Sequence, residues 1–155
     1  MMRRIAPMFL LLALAACGPG AAPPPRQPPP PPAGFVEARD LSLDQADDPY
    51  QRVVETGLAE TAAASGLPGG GDTVTYRAPA GATRAAIETY YDHAARDAGW
   101  TPDRTLAPPA GSKTAGYWSF GYRAGSHWFQ VAGVTPGPAL PVPEAGLPVV
   151  VRSGE

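Results

Sequence analysis

The chain has 155 residues, of which 21 are proline and 18 are glycine, about a quarter of the total. Because both residues break helices and central strands, the chain cannot be regular structure throughout, although their clustering leaves room for one small domain. The net charge of −2 argues against nucleic-acid binding, and the single cysteine excludes an internal disulfide or a thiolate-rich zinc site.

Residues 1–16 have the pattern of a secretory signal. Arg3 and Arg4 give a positive start, and twelve uncharged residues follow, most of them apolar. A membrane-spanning helix needs about 20 apolar residues, so this segment is too short to be one. The sequence therefore predicts an exported protein from which residues 1–16 are removed.

A lipid-attachment motif ends this segment. Leu14-Ala15-Ala16-Cys17 resembles the lipobox of bacterial lipoproteins, in which a leucine and two small residues precede a cysteine. The resemblance covers residues 1–17 only. It implies a thioether-linked diacylglyceryl group on Cys17 and cleavage before that residue, with acylation of the new amino terminus left open. Such an anchor holds stably in a bilayer when two or more acyl chains insert.

The residue after the cysteine indicates whether a lipoprotein stays in the inner membrane or goes to the outer membrane. In many Gram-negative lipoproteins an aspartate at this position marks inner-membrane retention, and here the residue is Gly18. The resemblance therefore favours the outer membrane, with the rest of the chain in the periplasm. The competing interpretation is an ordinary secretory signal that happens to precede a buried free cysteine.

A proline-rich segment follows the cysteine. Nine of the fourteen residues 19–32 are proline, which predicts an extended polyproline II spacer over residues 17–34. At about 3.1 Å per residue, its seventeen residues after Cys17 reach on the order of 50 Å. The alternative is a proline-rich ligand for an SH3-like partner.

Two helices are predicted in the remaining domain, residues 35–155. The first begins at the capping pair Asp48-Pro49 and ends at Gly66, although Gly57 inside it costs about 1 kcal/mol relative to alanine. The second begins at Thr83 and ends at Gly99. Their apolar stripes are Tyr50, Val53, Val54, Leu58 and Ala62, and Ile87, Tyr90, Tyr91, Ala94 and Ala98.

Four strands are suggested by alternation and by β-branched or aromatic residues. They are Thr73–Ala78, Ala115–Arg123, His127–Val134 and, as a last edge strand, Val149–Arg152. Pro102–Lys113 is predicted to be a loop. The fold class is therefore α+β, a small antiparallel sheet of three or four strands packed against one or two helices on one face.

The sequence predicts no catalytic residue and no metal site. His93 and His127 lie 34 residues apart, outside any metal-ligand spacing, and adjacency on a strand points Ser126 away from His127. Lys113, the sole lysine, lies in a predicted loop, where the buried amine that a Ser/Lys dyad needs is not expected. Paired carboxylates are invisible in a sequence, so a hydrolase stays open.

The densest chemical feature is an aromatic hairpin at residues 115–134. Six of the chain's thirteen aromatic residues lie within residues 117–129. Trp118, Phe120 and Tyr122 share one face and are predicted to be core. Because only one face need be buried, the other rings and a nearby cation form a candidate binding face: Tyr117, Trp128, Phe129 and Arg123.

The leading functional interpretation is a lipid-anchored envelope lipoprotein with a non-catalytic periplasmic domain. That domain would bind an envelope component or a partner protein and use no cofactor beyond the lipid on Cys17. One alternative is a periplasmic cell-wall hydrolase that uses carboxylates. Another is a peptidoglycan- or sugar-binding module that works through the aromatic hairpin.

Overall fold

The structure, a computed structural model, describes residues 27–38, 48–67, 71–138 and 142–155. These residues form two helices, α1 (Pro49–Ser65) and α2 (Arg84–Asp97), and one antiparallel sheet. Its strands are β1 (Val36–Glu37), β2 (Asp72–Ala78), β3 (Thr101–Pro102), β4 (Tyr117–Ala124), β5 (His127–Val134) and β6 (Leu147–Gly154). The α+β class is confirmed, but the sheet has six strands instead of three or four. The two unforeseen strands have two residues each, too few to show an alternating pattern.

The strand order is β1-β2-β6-β5-β4-β3. Strands β3 to β6 form an antiparallel meander, and β6 returns to pair with β2 as well as with β5. The prediction that Val149–Arg152 is an edge strand is therefore wrong. Val149, Val150 and Val151 are all buried, and an uninterrupted apolar run is typical of a strand covered on both faces.

The two helices cover opposite faces of the sheet. Helix α2 packs Ile87, Tyr91 and Ala95 on a cluster that includes Val149 and Val151. Helix α1 packs Tyr50, Val54 and Leu58 on the face that carries Val150. The expectation that the helices share one face is wrong, and the domain has three layers, helix, sheet and helix.

Both helices begin and end as their capping residues predict. The Asp48 carboxylate accepts the Tyr50 N–H at 2.9 Å, and Gly66 ends α1 in the left-handed conformation at φ 64°. The Thr83 hydroxyl accepts the Ala86 N–H at 3.2 Å. At the other end of α2, Gly99 has φ 78° and the Trp100 N–H donates to Ala95 O at 2.9 Å. This Schellman motif folds the Trp100 side chain into the core.

A buried ion pair joins the start of α1 to the sheet. The second oxygen of Asp48 accepts a hydrogen bond from Arg77 on β2 at 2.8 Å, and the two side chains are 11% and 8% exposed. The sequence places Arg77 on the polar face of a half-buried strand. It is buried because α1 covers that face.

The predicted loop Pro102–Lys113 contains a short 3-10 helix, Arg104–Leu106, that completes the layer beside α1. The Leu106 side chain is fully buried, and the Leu106 carbonyl accepts hydrogen bonds from Ser119 and Gln130, both at 2.9 Å. In the part of the chain that the structure describes, neither helix has the length and apolarity needed to cross a bilayer.

Candidate functional site

The rings predicted to form an exposed binding face are buried. Tyr117 is 9% exposed, Trp128 is 1% exposed and Phe129 is fully buried. The other three hairpin rings are buried as well, as predicted for Trp118, Phe120 and Tyr122. Rings that are covered in this way offer no surface on which a sugar could stack, so the exposed-ring prediction is wrong. The reason is that α2 covers the face with Phe129 and α1 covers the face with Tyr117. Trp128 lies against the end of β6.

Each of the three rings of the predicted binding face has a packing partner in the structure. Phe129 lies under α2, stacked on Tyr122 with ring centroids 4.9 Å apart and edge-on to Trp100 at the same distance. Trp128 lies against Gly154, with the Arg152 guanidinium 6.0 Å from its ring centroid. Tyr117 lies on α1 and its hydroxyl is 3.2 Å from the Thr61 hydroxyl.

The predicted cation of that face, Arg123, holds a loop. Its Nε donates to the Asp103 carboxylate at 2.8 Å, which fixes the turn between β3 and the 3-10 helix. Burial by itself would raise the pKa of Asp103, but hydrogen bonds from Arg123 and Thr105 outweigh it and hold the pKa below its usual value. Arg123 is 40% exposed, so a ligand would have to compete with this pair.

The lipid-attachment residue Cys17 and the whole signal segment lie outside the described residues, and lipidation stays a prediction. The other residues weighed for chemistry do not converge. His93 is exposed on α2, whereas His127 Nδ1 lies 3.3 Å from Glu155. Within the described ranges, no group of three or more His, Cys, Asp or Glu side chains is placed to share a metal ion.

The structure contains a partly open, mainly apolar cleft at the amino-terminal end of α2. Its volume is about 570 Å³, within the range of roughly 300–1,000 Å³ that is usual for small-molecule pockets. It is surrounded by the turn 79–82, the start of α2, the ends of β4 to β6, and residues 135–136 and 142–146. Its apolar lining includes Ile87, Trp118, Val134, Leu147 and Val149.

We call this cavity the α2 cleft. Its rim carries an exposed apolar residue and a few polar groups. Val142 is 51% exposed and stands at the rim, together with Arg84 and Glu144. The N-terminus of α2, which brings the positive end of the helix dipole, also faces it. The arrangement can hold a ligand with an apolar body and a polar end.

Sequence reasoning did not find this cleft. Its walls come from three separate regions of the chain: the turn before α2 with the start of that helix, Trp118 on β4, and the ends of β5 and β6 with the residues beside them. Each region alone is an ordinary turn or strand end. Trp118 at its base was predicted to be core and is 4% exposed. Only the packing of α2 against the sheet brings these segments together.

A second cleft, of about 510 Å³, lies between α2 and the turn after β3. It has mixed charge, with Arg84, Glu88, Asp92, Asp103 and Arg104 along its walls. A general acid at neutral pH needs a carboxyl group with a raised pKa, and the pKa of Asp103 is lowered. Asp103 is therefore not suited to be the general acid of a hydrolase in this cleft.

Comparison of the chain with protein-family models, curated proteins and solved structures gave no match.

Proposed function

We propose that this chain is a lipid-anchored lipoprotein of the bacterial cell envelope whose domain binds an acyl chain in the α2 cleft. The motif Leu14-Ala15-Ala16-Cys17 after a short apolar segment supports the anchor, a diacylglyceryl group on the Cys17 sulfur. Gly18 favours the outer membrane by the rule that applies to many Gram-negative lipoproteins. The domain then faces the periplasm and acts by binding, without a catalytic step.

One observation carries the ligand proposal, the mainly apolar lining of the α2 cleft. Soluble domains bury large aliphatic side chains, and a contiguous exposed apolar surface marks a contact site. Val142 at the rim and Val36 on β1 are the two large apolar side chains that the described residues leave mostly exposed. A ligand in the cleft would cover the exposed side chain of Val142.

The chemistry of the lining favours an acyl chain over a sugar. A sugar needs hydrogen-bonding side chains along its length, and the inner walls here are built from Ile87, Trp118 and Val149. The polar groups at the mouth are Arg84, Glu144 and the amino-terminal end of α2, and a carboxylate or phosphate head would lie beside Arg84 and the helix end. The membrane that holds the anchor is also a source of such chains.

The anchor is tested by Cys17→Ser. We expect the native chain to sediment with membranes after a high-salt wash and to carry the mass of a diacylglyceryl group. The serine variant should be released into the soluble fraction. A native product with an unmodified thiol, or a variant that stays with the membranes, would disprove the anchor.

The ligand is tested with a brominated fatty acid, because bromine quenches tryptophan fluorescence on contact and Trp118 forms the base of the cleft. We expect saturable quenching in the native chain, which Trp118→Phe removes. Ala85 lines the cleft and Ala86 does not, yet both are exposed on the first turn of α2. Ala85→Phe should weaken binding by about tenfold or more, a loss typical of a blocked contact site, while Ala86→Phe should leave it unchanged. Equal binding by both variants would place the ligand elsewhere and refute the proposal.

A further inference from the structure

Part of the proline-rich segment lies against the domain instead of standing clear of it. Pro28, Pro29, Pro31 and Pro32 are half-buried, whereas Gln27, Pro30 and Ala33 are exposed. Burial thus repeats every three residues, which is the period of a polyproline II helix with two of its three faces on a surface. We call residues 28–32 the strap.

The strap is hydrogen-bonded to α2. The Tyr90 hydroxyl donates to the Pro30 carbonyl at 3.0 Å. Prolines have no N–H, and a polyproline II helix has no internal hydrogen bonds, so its carbonyls are free to accept from a surface donor. An aromatic residue with a polar tip can supply both the flat contact and the donor.

The Tyr90 ring is also positioned by contacts with the core. It packs edge-on against the buried Tyr91 ring, with centroids 5.3 Å apart and an interplanar angle of 87°. Tyr90 and Tyr76 are both half-buried beside the same core cluster. A rigid aromatic surface of this kind is what grooves for proline-rich ligands present.

The strap is tied at its carboxyl end. Gly34, at φ 85°, turns the chain beside the Pro79 ring, and Phe35 packs against the cluster under α2. Val36 then pairs with Arg77 on β2. These contacts keep the strap close to Tyr90, at an effective concentration on the order of millimolar for a short connection.

We infer that the surface around Tyr90 is a binding site for polyproline II segments and that the chain's own strap is its resident ligand. The ligand class is a proline-rich peptide, which loses little entropy on binding because the free peptide is already extended. A free peptide meets an occupied site in the native chain and binds once the strap is released. The inference does not depend on the acyl chain or on the anchor.

One consequence concerns the spacer. With residues 27–34 on the domain, nine residues, 18–26, separate it from Cys17. Their extended reach is about 28 Å, roughly half of that expected for a free spacer.

The site is tested with a fluorescent synthetic peptide of residues 27–34 and the full chain. In the released variant, the four half-buried prolines are replaced together: Pro28→Ser, Pro29→Ser, Pro31→Ser and Pro32→Ser. We expect no peptide binding to the native chain and saturable binding to the released variant. Adding Tyr90→Phe should weaken that binding by about tenfold, the loss of one hydrogen bond in a preformed site. The matched control Pro30→Ser, which changes a solvent-facing ring, should behave like the native chain.

Two outcomes would overturn the inference. A released variant with native circular dichroism and native thermal unfolding that binds no peptide would show that the strap is only packing. Peptide binding by the native chain equal to that of the released variant would show that the strap does not occupy the site. If the released variant does not fold, amide exchange at Phe35, whose N–H donates to the Pro32 carbonyl, is compared between the native chain and Tyr90→Phe. This variant removes the hydroxyl but keeps the Tyr90 ring and its packing. Faster exchange by about fivefold or more supports a clamp at Tyr90, and unchanged exchange refutes it.

Discussion

The ring of Tyr117 lies directly on the backbone of Gly57 in the middle of α1. A Cβ atom added to Gly57 would be 2.2 Å from Tyr117 Cγ, closer than any real contact. The Tyr117 hydroxyl reaches Thr61, one turn further along the helix. The glycine that weakens α1 as an isolated helix is therefore what allows the helix to approach the sheet.

Gly57→Ala should destabilise the domain although alanine is the better helix former. Alanine gains about 1 kcal/mol of helix propensity, but the Tyr117 ring would have to move, and overpacking of this kind costs about 1–3 kcal/mol or more. Urea unfolding measures the difference. The control is Ala63→Gly on the exposed side of α1, which should cost only the propensity difference. A more stable Gly57→Ala variant would show that the ring adjusts freely.

Asp48→Asn should destabilise the domain strongly while it keeps the helix cap. The amide oxygen still accepts the Tyr50 N–H, but Arg77 loses its counter-charge in a site where it is 8% exposed and where its Nε has no partner. Removing one partner of a buried pair costs roughly 3–5 kcal/mol.

The matched control for that pair is Asp92→Asn on α2. Asp92 pairs with Arg96 at 2.9 Å, with the two side chains 37% and 62% exposed. A solvated pair of this kind contributes about 0.5 kcal/mol or less. Similar losses from the two asparagine substitutions in chemical unfolding would contradict the special role of the Asp48–Arg77 pair.

Local features of the fold were predictable from the sequence, because capping depends on neighbouring residues. Asp48, Gly66, Thr83 and Gly99 each act within one turn of their own helix. The strand alternation of Thr73–Ala78 and the hairpin pairing of β4 with β5 are also local.

The long-range features were not predictable. The sequence does not say which helix covers which face, so the burial of Trp128 and Phe129 on opposite faces was missed. The position of β6 depends on a pairing with β2, some 70 residues earlier in the chain. Leu106, a single apolar residue among prolines and polar residues, gave the one available signal that the predicted loop packs on the sheet. The α2 cleft and the strap both result from such long-range packing.

The double variant with Ser119→Ala and Gln130→Met should lose more free energy of unfolding than the two single variants lose in sum. Each side chain donates to the Leu106 carbonyl, so either one alone still satisfies this buried acceptor. Gln130→Met also removes an amide oxygen that has no partner, and we expect it to cost less than about 1 kcal/mol. With both donors gone, the carbonyl is buried and unpaired, which adds about 1–3 kcal/mol. A double-mutant cycle that is additive would contradict this prediction.

The domain should lose stability in alkaline solution because three buried tyrosines resist ionisation. Burial raises the pKa of Tyr91 and Tyr117 above 10.0, and burial together with the charges of Asp92 and Glu88 raises that of Tyr122 to about 12. The neutral, protonated form is the one that the fold accommodates. The contribution of these tyrosines to stability is therefore complete below the unfolded-state pKa and falls as the pH rises above it.

The expected slope is about 1.4 kcal/mol per pH unit for each of these tyrosines between its unfolded and folded pKa values. Urea unfolding at a series of alkaline pH values measures this slope. The absorbance of tyrosinate in the near ultraviolet reports how many tyrosines have ionised at each pH. Tyr122→Phe should remove one tyrosine's share of the slope up to a pH of about 12. If the tyrosinate absorbance that Tyr122→Phe removes rises with the pKa of free tyrosine, and before any loss of tertiary structure, the core does not hold the Tyr122 hydroxyl neutral and the prediction fails.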